Sequence, residues 1–266
     1  MKFDIDACRE IIDTITRNKS RSILTGFGVF WGIFMLIVLI GGGQGLKELL
    51  QQNFAGFATN TAVIWSQPTT KPYKGFRKGR MWQMDLKDID RLHHQVPELD
   101  VVTPLVFSGR RSVGAGDKSY QASVQGVRPD YARVSAPQMF YGRYINDVDD
   151  RDSRKVCVIG KQVYKTLFPQ GGDPCGQMVR IDSTYYTVVG VDYKGGNGVN
   201  FGGRADETIT LPQSVLRKVY NRGQQVDIIA TTGHKGVVMS RIADRMRATV
   251  ARSHLVDPAD EKGVMV

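Results

Sequence analysis

The stretch Ile23–Gly43, ILTGFGVFWGIFMLIVLIGGG, decides the architecture of this 266-residue chain. None of its 21 positions is charged, and 12 of them are Leu, Ile, Val or Phe. An α-helix of that length rises about 30 Å, the thickness of the hydrocarbon layer of a bilayer. The stretch therefore predicts a transmembrane helix over residues 22–43.

A cleaved signal peptide is the alternative to a retained anchor. Its apolar core is typically about 7–15 residues long and is followed by a small-residue cleavage site. Here the apolar run is longer, 22 residues precede it, and no A-x-A pattern follows it. Those 22 residues include the acids Asp4, Asp6, Glu10 and Asp13, which a basic leader would lack. These features favour a retained anchor.

The charges that flank the run predict its orientation. Arg17, Lys19 and Arg21 precede it, whereas Lys47 is the one nearby cation on the far side and Glu48 follows it. The positive-inside rule then places the N-terminus in the cytoplasm and the bulk of the chain outside. We expect residues 1–21 to form an amphipathic cytoplasmic helix, lying on lipid or on protein. Residues 44–57 would continue the span as a stalk helix.

Glycines in the span are the candidate packing residues. Gly28 and Gly32 form a G-x-x-x-G pattern, which lets a second helix approach closely, although glycine is also simply common in membrane helices. The glycines of the predicted junction between membrane and stalk are Gly41, Gly42, Gly43 and Gly45.

The remainder of the chain has the composition of a folded domain. Over the whole sequence 41% of residues are hydrophobic and 23% are charged, which is too apolar for a disordered chain and too polar for a polytopic membrane protein. Three cysteines exclude a disulfide scaffold. Periodicity predicts a strand, a helix and two strands over 62–65, 85–96, 101–107 and 120–127. Next comes a β-rich segment, with strands at 156–159, 179–181, 186–191 and 208–211 and a helix at 161–168. The last predicted elements are a strand at 227–231 and a helix whose buried side is lined by Val238, Ile242, Met246 and Val250. The fold class is α+β.

One loop concentrates positive charge. Between Pro68 and Arg80 the chain has no acid, and its cations are interleaved with Tyr73 and Phe76. They are Lys71, Lys74, Arg77, Lys78 and Arg80. We expect this loop to contact anionic headgroups or an acidic partner; the alternative is a solvated mobile loop.

Other motifs predict no catalytic, cofactor or metal site. No G-x-x-x-x-G-K-[ST] occurs, so ATP hydrolysis by this chain is not expected. Gly196-Asn197-Gly198 is interpreted as a flexible hairpin tip, and the G-x-x-G at Gly233–Gly236 as a strand-to-helix turn. The net charge of +10 is spread along the chain, and it lies mostly outside the membrane, so no nucleic-acid partner is predicted.

The histidines and cysteines also receive structural interpretations. His93 and His94 are adjacent on a predicted helix and point in different directions, so they cannot chelate a metal together. Cys157 lies in an apolar strand and is expected to be buried. A Cys157–Cys175 disulfide is conceivable outside the cytoplasm, but the spacing does not decide it.

Several short motifs, in a fixed order, are shared with a known family. Thr61–Trp65, the Met84-Asp85-Leu86-Lys87-Asp88 helix start and Pro97 before Val101-Val102-Thr103-Pro104 come first. The later motifs are Tyr141-Gly142-Arg143-Tyr144, Lys155–Gly160, Leu167-Phe168, Asp173-Pro174-Cys175-Gly176, Val179–Ile181, Tyr186–Val191 and Ile209-Thr210-Leu211-Pro212. In this order and spacing the chain resembles the N-terminal half of MacB-type ABC-transporter permeases, the family of LolC/LolE and FtsX-like proteins. Cys175 stands where the family usually has an aliphatic residue.

The resemblance implies a periplasmic domain of two parts on a bacterial inner membrane. A βαβ-type porter subdomain would cover 58–130 and 225–256, and an inserted β-rich, Sabre-like subdomain would cover 131–224. The family forms homodimers or related heterodimers and works with a cytoplasmic ABC ATPase, and in some systems with a periplasmic membrane-fusion adaptor. It transmits ATP-driven movement across the membrane for export. The alternative is an FtsX-like anchored regulator of cell-wall hydrolases.

Family permeases carry three more spanning helices after the periplasmic domain. The resemblance therefore implies that residues 257–266 are a tail leading towards such helices. Either the chain is truncated before them or it is a natural form without them.

Overall fold

A computed structural model describes residues 19–54, 60–194 and 202–266. The chain divides into two compact units, Met1–Gln52 and Asn53–Val266. The predicted cytoplasmic helix before residue 19, the last residues of the predicted stalk and the Gly196-Asn197-Gly198 hairpin tip lie outside the described residues.

The described residues at the N-terminal side form one long helix, α1 (Lys19–Phe54, 36 residues). The predicted span and the described part of the predicted stalk thus form one continuous helix. Its section Lys19–Lys47 is long and apolar enough to cross a membrane. Large apolar side chains from Ile23 to Ile40 are exposed all around this section. A helix that is apolar on every side needs lipid or other protein around it, because water would solvate it poorly.

The second unit is an α+β domain. Its strands are β1 (Thr61–Ser66), β2 (Met84–Asp85), β3 (Leu99–Ala115), β4 (Lys118–Val127), β5 (Met139–Gly142), β6 (Val156–Gly160), β7 (Met178–Ile181), β8 (Thr184–Asp192), β9 (Thr208–Pro212), β10 (Gln225–Val226), β11 (Ile228–Gly233) and β12 (Val264–Met265). Its helices are α2 (Leu86–Gln95), α3 (Tyr131–Ser135), α4 (Asp147–Arg151), α5 (Lys161–Leu167), α6 (Gln213–Val219) and α7 (Met239–Ser253).

Ten of these strands form one sheet. Its order is β12-β1-β11-β3-β4-β9-β6-β8-β5, with β7 pairing β3 and β8, while β10 and β2 pair separately. The pairs β4/β9 and β6/β8 are parallel and the others are antiparallel. Strand β3 has 17 residues and connects the two halves of the sheet. Its first part pairs β11 and its second part pairs β4, with a register shift between Phe107 and Gly109.

Two main apolar cores lie along this sheet. Helices α2 and α7 cover one core, in which Leu92, Val96, Met246 and Val250 are completely buried. Burying a side chain of this kind contributes about 1.5–3 kcal/mol. The other core lies around β6, β8 and β9 under α5 and α6, and it includes Cys157.

The strands and helices that periodicity predicts are confirmed with small differences at their ends, except that β3, predicted over 101–107, runs from Leu99 to Ala115. Helix α2 begins as predicted at an Asp85 cap, where Asp85 and Asp88 form a reciprocal capping box. The predicted apolar stripe of α7 is wrong at its first position. Val238 caps the helix and is half exposed, and Met239 is buried in its place, because the helix begins one residue later.

Seven of these elements were not predicted from the sequence: β2, α3, β5, α4, α6, β10 and β12. Strand β12 lies within the predicted 257–266 tail, and its Val264 and Met265 pair with Ser66 and Trp65 of β1. The boundaries of the porter and Sabre-like subdomains remain a prediction.

Candidate functional site: the glycine face and the basic hairpin

The glycines of α1 have no structural reason within the helix itself. A Cβ atom added at Gly28, Gly32 or any glycine from Gly41 to Gly45 would meet nothing within 4 Å. Glycine inside a helix costs about 0.5–1 kcal/mol relative to alanine. The described contacts of α1 do not account for these glycines, and the predicted packing and junction roles remain predictions.

Gly28 and Gly32 lie on a different side of α1 from its aromatic residues. The rings of Phe27 and Trp31 stack at 5.9 Å between centroids, and Trp31 lies 5.7 Å from Phe34. Because a helix turns about 100° per residue, the two glycines face roughly 120° away from this aromatic row. We call the surface of Gly28 and Gly32 the glycine face.

The loop after β1 is a hydrogen-bonded hairpin, which we call the basic hairpin (residues 69–80). Tyr73 and Phe76 exchange backbone hydrogen bonds of 3.1 and 2.9 Å. Lys74 and Gly75 between them have φ values of 46° and 86°, the left-handed geometry of a type I′ turn. At the base, the Thr69 backbone N–H donates to the Arg80 carbonyl at 3.1 Å.

The five predicted cations of the hairpin divide into two groups. Arg80 donates to the carbonyls of His254 (2.6 Å) and Leu255 (2.9 Å), and Lys71 donates to that of Ala259 (2.8 Å). These two cations therefore attach the hairpin to the segment after α7.

The other three are Lys74, Arg77 and Lys78, and all three are exposed. Within the described part of the chain none of them forms an ion pair. They are the cations of this hairpin that are available to an external anion. That they contact one remains a prediction.

A buried carboxylate holds the base of the hairpin. Asp260 accepts hydrogen bonds from the Thr70 N–H (2.6 Å) and hydroxyl (2.5 Å), from the Lys71 N–H (3.2 Å) and from the Gly263 N–H (3.0 Å). Burial alone would raise the pKa of Asp260, but these hydrogen bonds outweigh it and hold the pKa below its ordinary value. Sequence reasoning missed this residue because its partners lie about 190 positions away.

A second carboxylate network resembles a metal site in composition. Ligand atoms of Asp85, Asp88 and His254 all lie within 4.8 Å of one another. However, Asp88 belongs to the capping box of α2. It accepts from Arg91 (2.8 Å) and Ser253 (3.0 Å), and it lies 2.6 Å from His254 Nε2. Burial would raise the pKa of Asp88, but the hydrogen bonds from His254 and the Asp85 backbone outweigh it and lower the pKa. Through these contacts the network connects the start of α2 to the end of α7.

The Gly-Arg motif after β5 has a clear geometric basis. Gly142 has a φ of +67°, and a Cβ there would lie 2.1 Å from the carbonyl oxygen of Val189. Arg143 makes a bidentate pair with the fully buried Asp149, at 2.5 and 3.1 Å. Asp149 also accepts from the N–H of Asn146, the N-cap of α4, at 3.1 Å, and so completes a capping box. The motif thus fixes the turn between β5 and α4.

The structure also places the cysteines, the adjacent histidines and the G-x-x-G segment discussed above. Cys157 is completely buried as predicted, and both Cys157 and Cys175 are free thiols. His93 and His94 are exposed on α2. Gly233 ends β11 and α7 begins at Met239, so the G-x-x-G segment is a strand-to-helix turn as predicted.

The second unit is an α+β domain that follows a candidate transmembrane helix, and comparison with known proteins places the chain in a family. Residues 22–249 match the model of the MacB-like periplasmic core domain. The chain belongs to this family.

Relatives and solved structures agree with that assignment. The macrolide export ATP-binding/permease protein MacB of Bdellovibrio bacteriovorus is 23% identical over 97% of this chain and 39% of its own length. The pyoverdine export ATP-binding/permease protein PvdT of Pseudomonas syringae pv. syringae is 26% identical over 79% of this chain and 30% of its own length. The chain therefore spans well under half of these relatives.

Two solved structures share the fold. The periplasmic region of MacB from Actinobacillus actinomycetemcomitans has a TM-score of 0.62 at 20% identity, covering 82% of this chain and 92% of its own. The extracellular domain of the noncanonic ABC-type transporter YknZ from Gram-positive bacteria has a TM-score of 0.61 at 13% identity, covering 77% and 98%. The chain thus has the fold of these periplasmic and extracellular domains, preceded by a candidate transmembrane helix.

Proposed function

We propose that this chain is the anchor and periplasmic part of a bacterial inner-membrane permease that transmits ATP-driven movement across the membrane for export. The observation that carries the proposal is the family match from residue 22 to residue 249, which includes both the span and the domain. ATP would be hydrolysed by a cytoplasmic ABC ATPase, because the 266 residues contain no phosphate-binding G-x-x-x-x-G-K-[ST] loop.

In this mechanism two permease copies, or this chain and a related permease, approach through their α1 helices. The periplasmic domains then move as rigid bodies, as in a hinge-type transition. A periplasmic membrane-fusion adaptor would receive the movement. The glycine face supports such an approach, since its glycines are unexplained within α1 and small residues allow close contact between membrane helices.

Disulfide crosslinking in membranes tests the glycine face. The reporter is Leu36→Cys, which lies on the side of Gly32, in a background with Cys8→Ser and Cys175→Ser; the remaining Cys157 is completely buried. Gly28→Leu with Gly32→Leu should reduce the yield of crosslinked dimer. Gly26→Leu is the matched control, because it faces roughly 120–160° away from the two glycines and should leave the yield unchanged. Equal yields in all three chains would refute the packing role.

Coupling to an ATPase is tested separately. The affinity-tagged chain, purified from its own host membranes, should bring down an ABC ATPase whose activity depends on the permease. Recovery of a cell-wall hydrolase without an ATPase would instead favour the FtsX-like regulator.

A further inference from the structure

A group of four polar side chains converges where β4 ends and α6 begins, and we call it the arginine cluster: Arg128, Gln213, Arg217 and Arg222. The parallel pairing of Val127 with Pro212 sets Arg128 beside Gln213. Arg128 Nε then donates to Gln213 Oε1 at 3.2 Å. Arg217 is one helical turn after Gln213 and shares its face of α6.

The chain after α6 returns Arg222 to the same place. Its backbone N–H donates to the carbonyl of Arg217 at 3.0 Å. Its Nη2 donates to Asp227 Oδ1 at 2.5 Å. Arg217 itself uses Nη1 to donate to the carbonyl of Gly223.

Four buried donor atoms of this cluster have no hydrogen-bond partner among the described residues. They are Gln213 Nε2, Arg217 Nε, Arg217 Nη2 and Arg222 Nε. Gln213 is only 3% exposed. Buried donors are nearly always paired, so four unpaired ones in one cluster indicate an acceptor that the described residues do not supply. All four atoms are donors, so a group with several acceptor oxygens can satisfy them together.

The carboxylates near the cluster already have other partners. Three guanidinium groups face Asp130, Asp150 and Asp227, and Asp130 accepts from the Thr103 hydroxyl at 2.6 Å. Asp227 Oδ2 accepts from the Phe107 N–H at 2.7 Å, and Asp150 Oδ1 accepts from the Ser214 N–H at 2.8 Å. Burial and the positive charges of Arg128 and Arg222 lower the pKa of Arg217. An added anion would relieve this repulsion.

We propose that the arginine cluster binds a phosphate-type oxyanion, which would accept from Gln213 Nε2 and from the unpaired donors of Arg217 and Arg222. Guanidinium groups match the oxygens of phosphate in pairs, which makes arginine the residue of choice for such ligands. Arg222 and Asp227 also line an open cavity of about 560 Å³ with Trp65, Phe107 and Ile228. The anion can therefore be free phosphate, or the phosphate of a larger molecule whose apolar part lies in that cavity.

Titration calorimetry on the full chain in a phosphate-free maltoside detergent tests this site. The probes are inorganic phosphate and glycerol 3-phosphate, with sodium chloride at equal ionic strength as the reference. We expect saturable binding of phosphate and a phosphate-dependent rise in the midpoint of thermal unfolding. Arg217→Gln should weaken binding by roughly tenfold or more, since it removes charge-assisted hydrogen bonds.

Two further variants keep the test decisive. Gln213→Met removes a donor without changing the charge and should also weaken binding. Arg133→Gln is the matched control: it removes one positive charge from an exposed arginine that pairs with Asp100, and it should leave binding unchanged. Binding of glycerol 3-phosphate as tightly as phosphate would indicate a site open to a larger ligand; binding of phosphate alone would indicate an enclosed site.

The proposal is overturned if phosphate does not bind to the folded wild-type chain, because water then satisfies the donors. It is also overturned if Arg133→Gln weakens binding as much as Arg217→Gln, because the effect is then one of net charge. Thermal unfolding in chloride shows in each case whether the variant is folded.

Discussion

The bidentate pair between Arg143 and Asp149 gives the sharpest stability prediction. Asp149 is completely buried, and Arg143 provides two of its hydrogen bonds, at 2.5 and 3.1 Å. A hydrogen bond to a charged group contributes about 1.5–3 kcal/mol. Nearly half of the arginine side chain is exposed, so water screens part of the interaction. We therefore expect Arg143→Ala to lower the free energy of unfolding by about 1.5–3 kcal/mol in total at pH 7.

The effect should depend on pH in a defined direction. Burial raises the pKa of Asp149, but the hydrogen bonds from Arg143 and the Asn146 backbone outweigh it, so the folded-state pKa lies below the ordinary value of an aspartate. The stabilisation is therefore present above that value and is lost as the pH falls through the folded-state pKa. The difference between wild type and Arg143→Ala should shrink in strong acid.

Urea unfolding of the full chain in detergent, followed by tryptophan fluorescence, measures this difference. Trp82 reports on the domain, since it is buried there. Arg151→Ala is the matched control, because that arginine is 73% exposed and pairs with an exposed carboxylate; it should change stability by less than about 0.5 kcal/mol. The reasoning fails if Arg143→Ala matches this control at pH 7, or if its deficit stays the same in strong acid.

Three further predictions use the same unfolding assay. Gly142→Ala should destabilise the domain by at least about 1–3 kcal/mol, because the backbone there is left-handed and the added Cβ would lie 2.1 Å from the Val189 carbonyl oxygen. Unchanged stability would exclude that close approach. Leu92→Ala should cost about 2–5 kcal/mol, as expected for a fully buried side chain in the core of α2 and α7, and a cost below about 1 kcal/mol would contradict this packing. Arg80→Ala should destabilise the domain by about 1–3 kcal/mol, because it removes the hydrogen bonds to two carbonyls. The control Lys78→Ala should change stability by less than about 0.5 kcal/mol. Equal effects of the two substitutions would refute the division of the basic hairpin into structural and available cations.

The sequence predicted most of the fold because its regular elements carry strong local signals. The uncharged run at Ile23–Gly43 and the Asp85 cap of α2 are readable from neighbouring residues alone. The missed elements have weak local signals. Strand β5 has four residues and β12 has two, and pairing with β8 and β1 rather than their own pattern stabilises them.

The candidate sites divide in the same way. The basic hairpin was found because five cations occur in a short stretch, but which of them are structural depends on carbonyls about 175–190 residues away. The arginine cluster gave no motif, because Arg128 and Arg217 are brought together by a parallel strand pair. Such sites depend on tertiary structure, and spacing along the chain does not show them.

In the proposed topology, α1 spans the inner membrane and holds the domain on the periplasmic side. Labelling of intact spheroplasts with a membrane-impermeant maleimide tests it, using Lys118→Cys at the exposed end of β4 in a Cys8→Ser, Cys175→Ser background. We expect labelling without permeabilisation, whereas Cys8 in a Cys175→Ser chain should label only after permeabilisation. If position 118 reacts only in permeabilised cells, the domain is cytoplasmic and the proposed function is wrong.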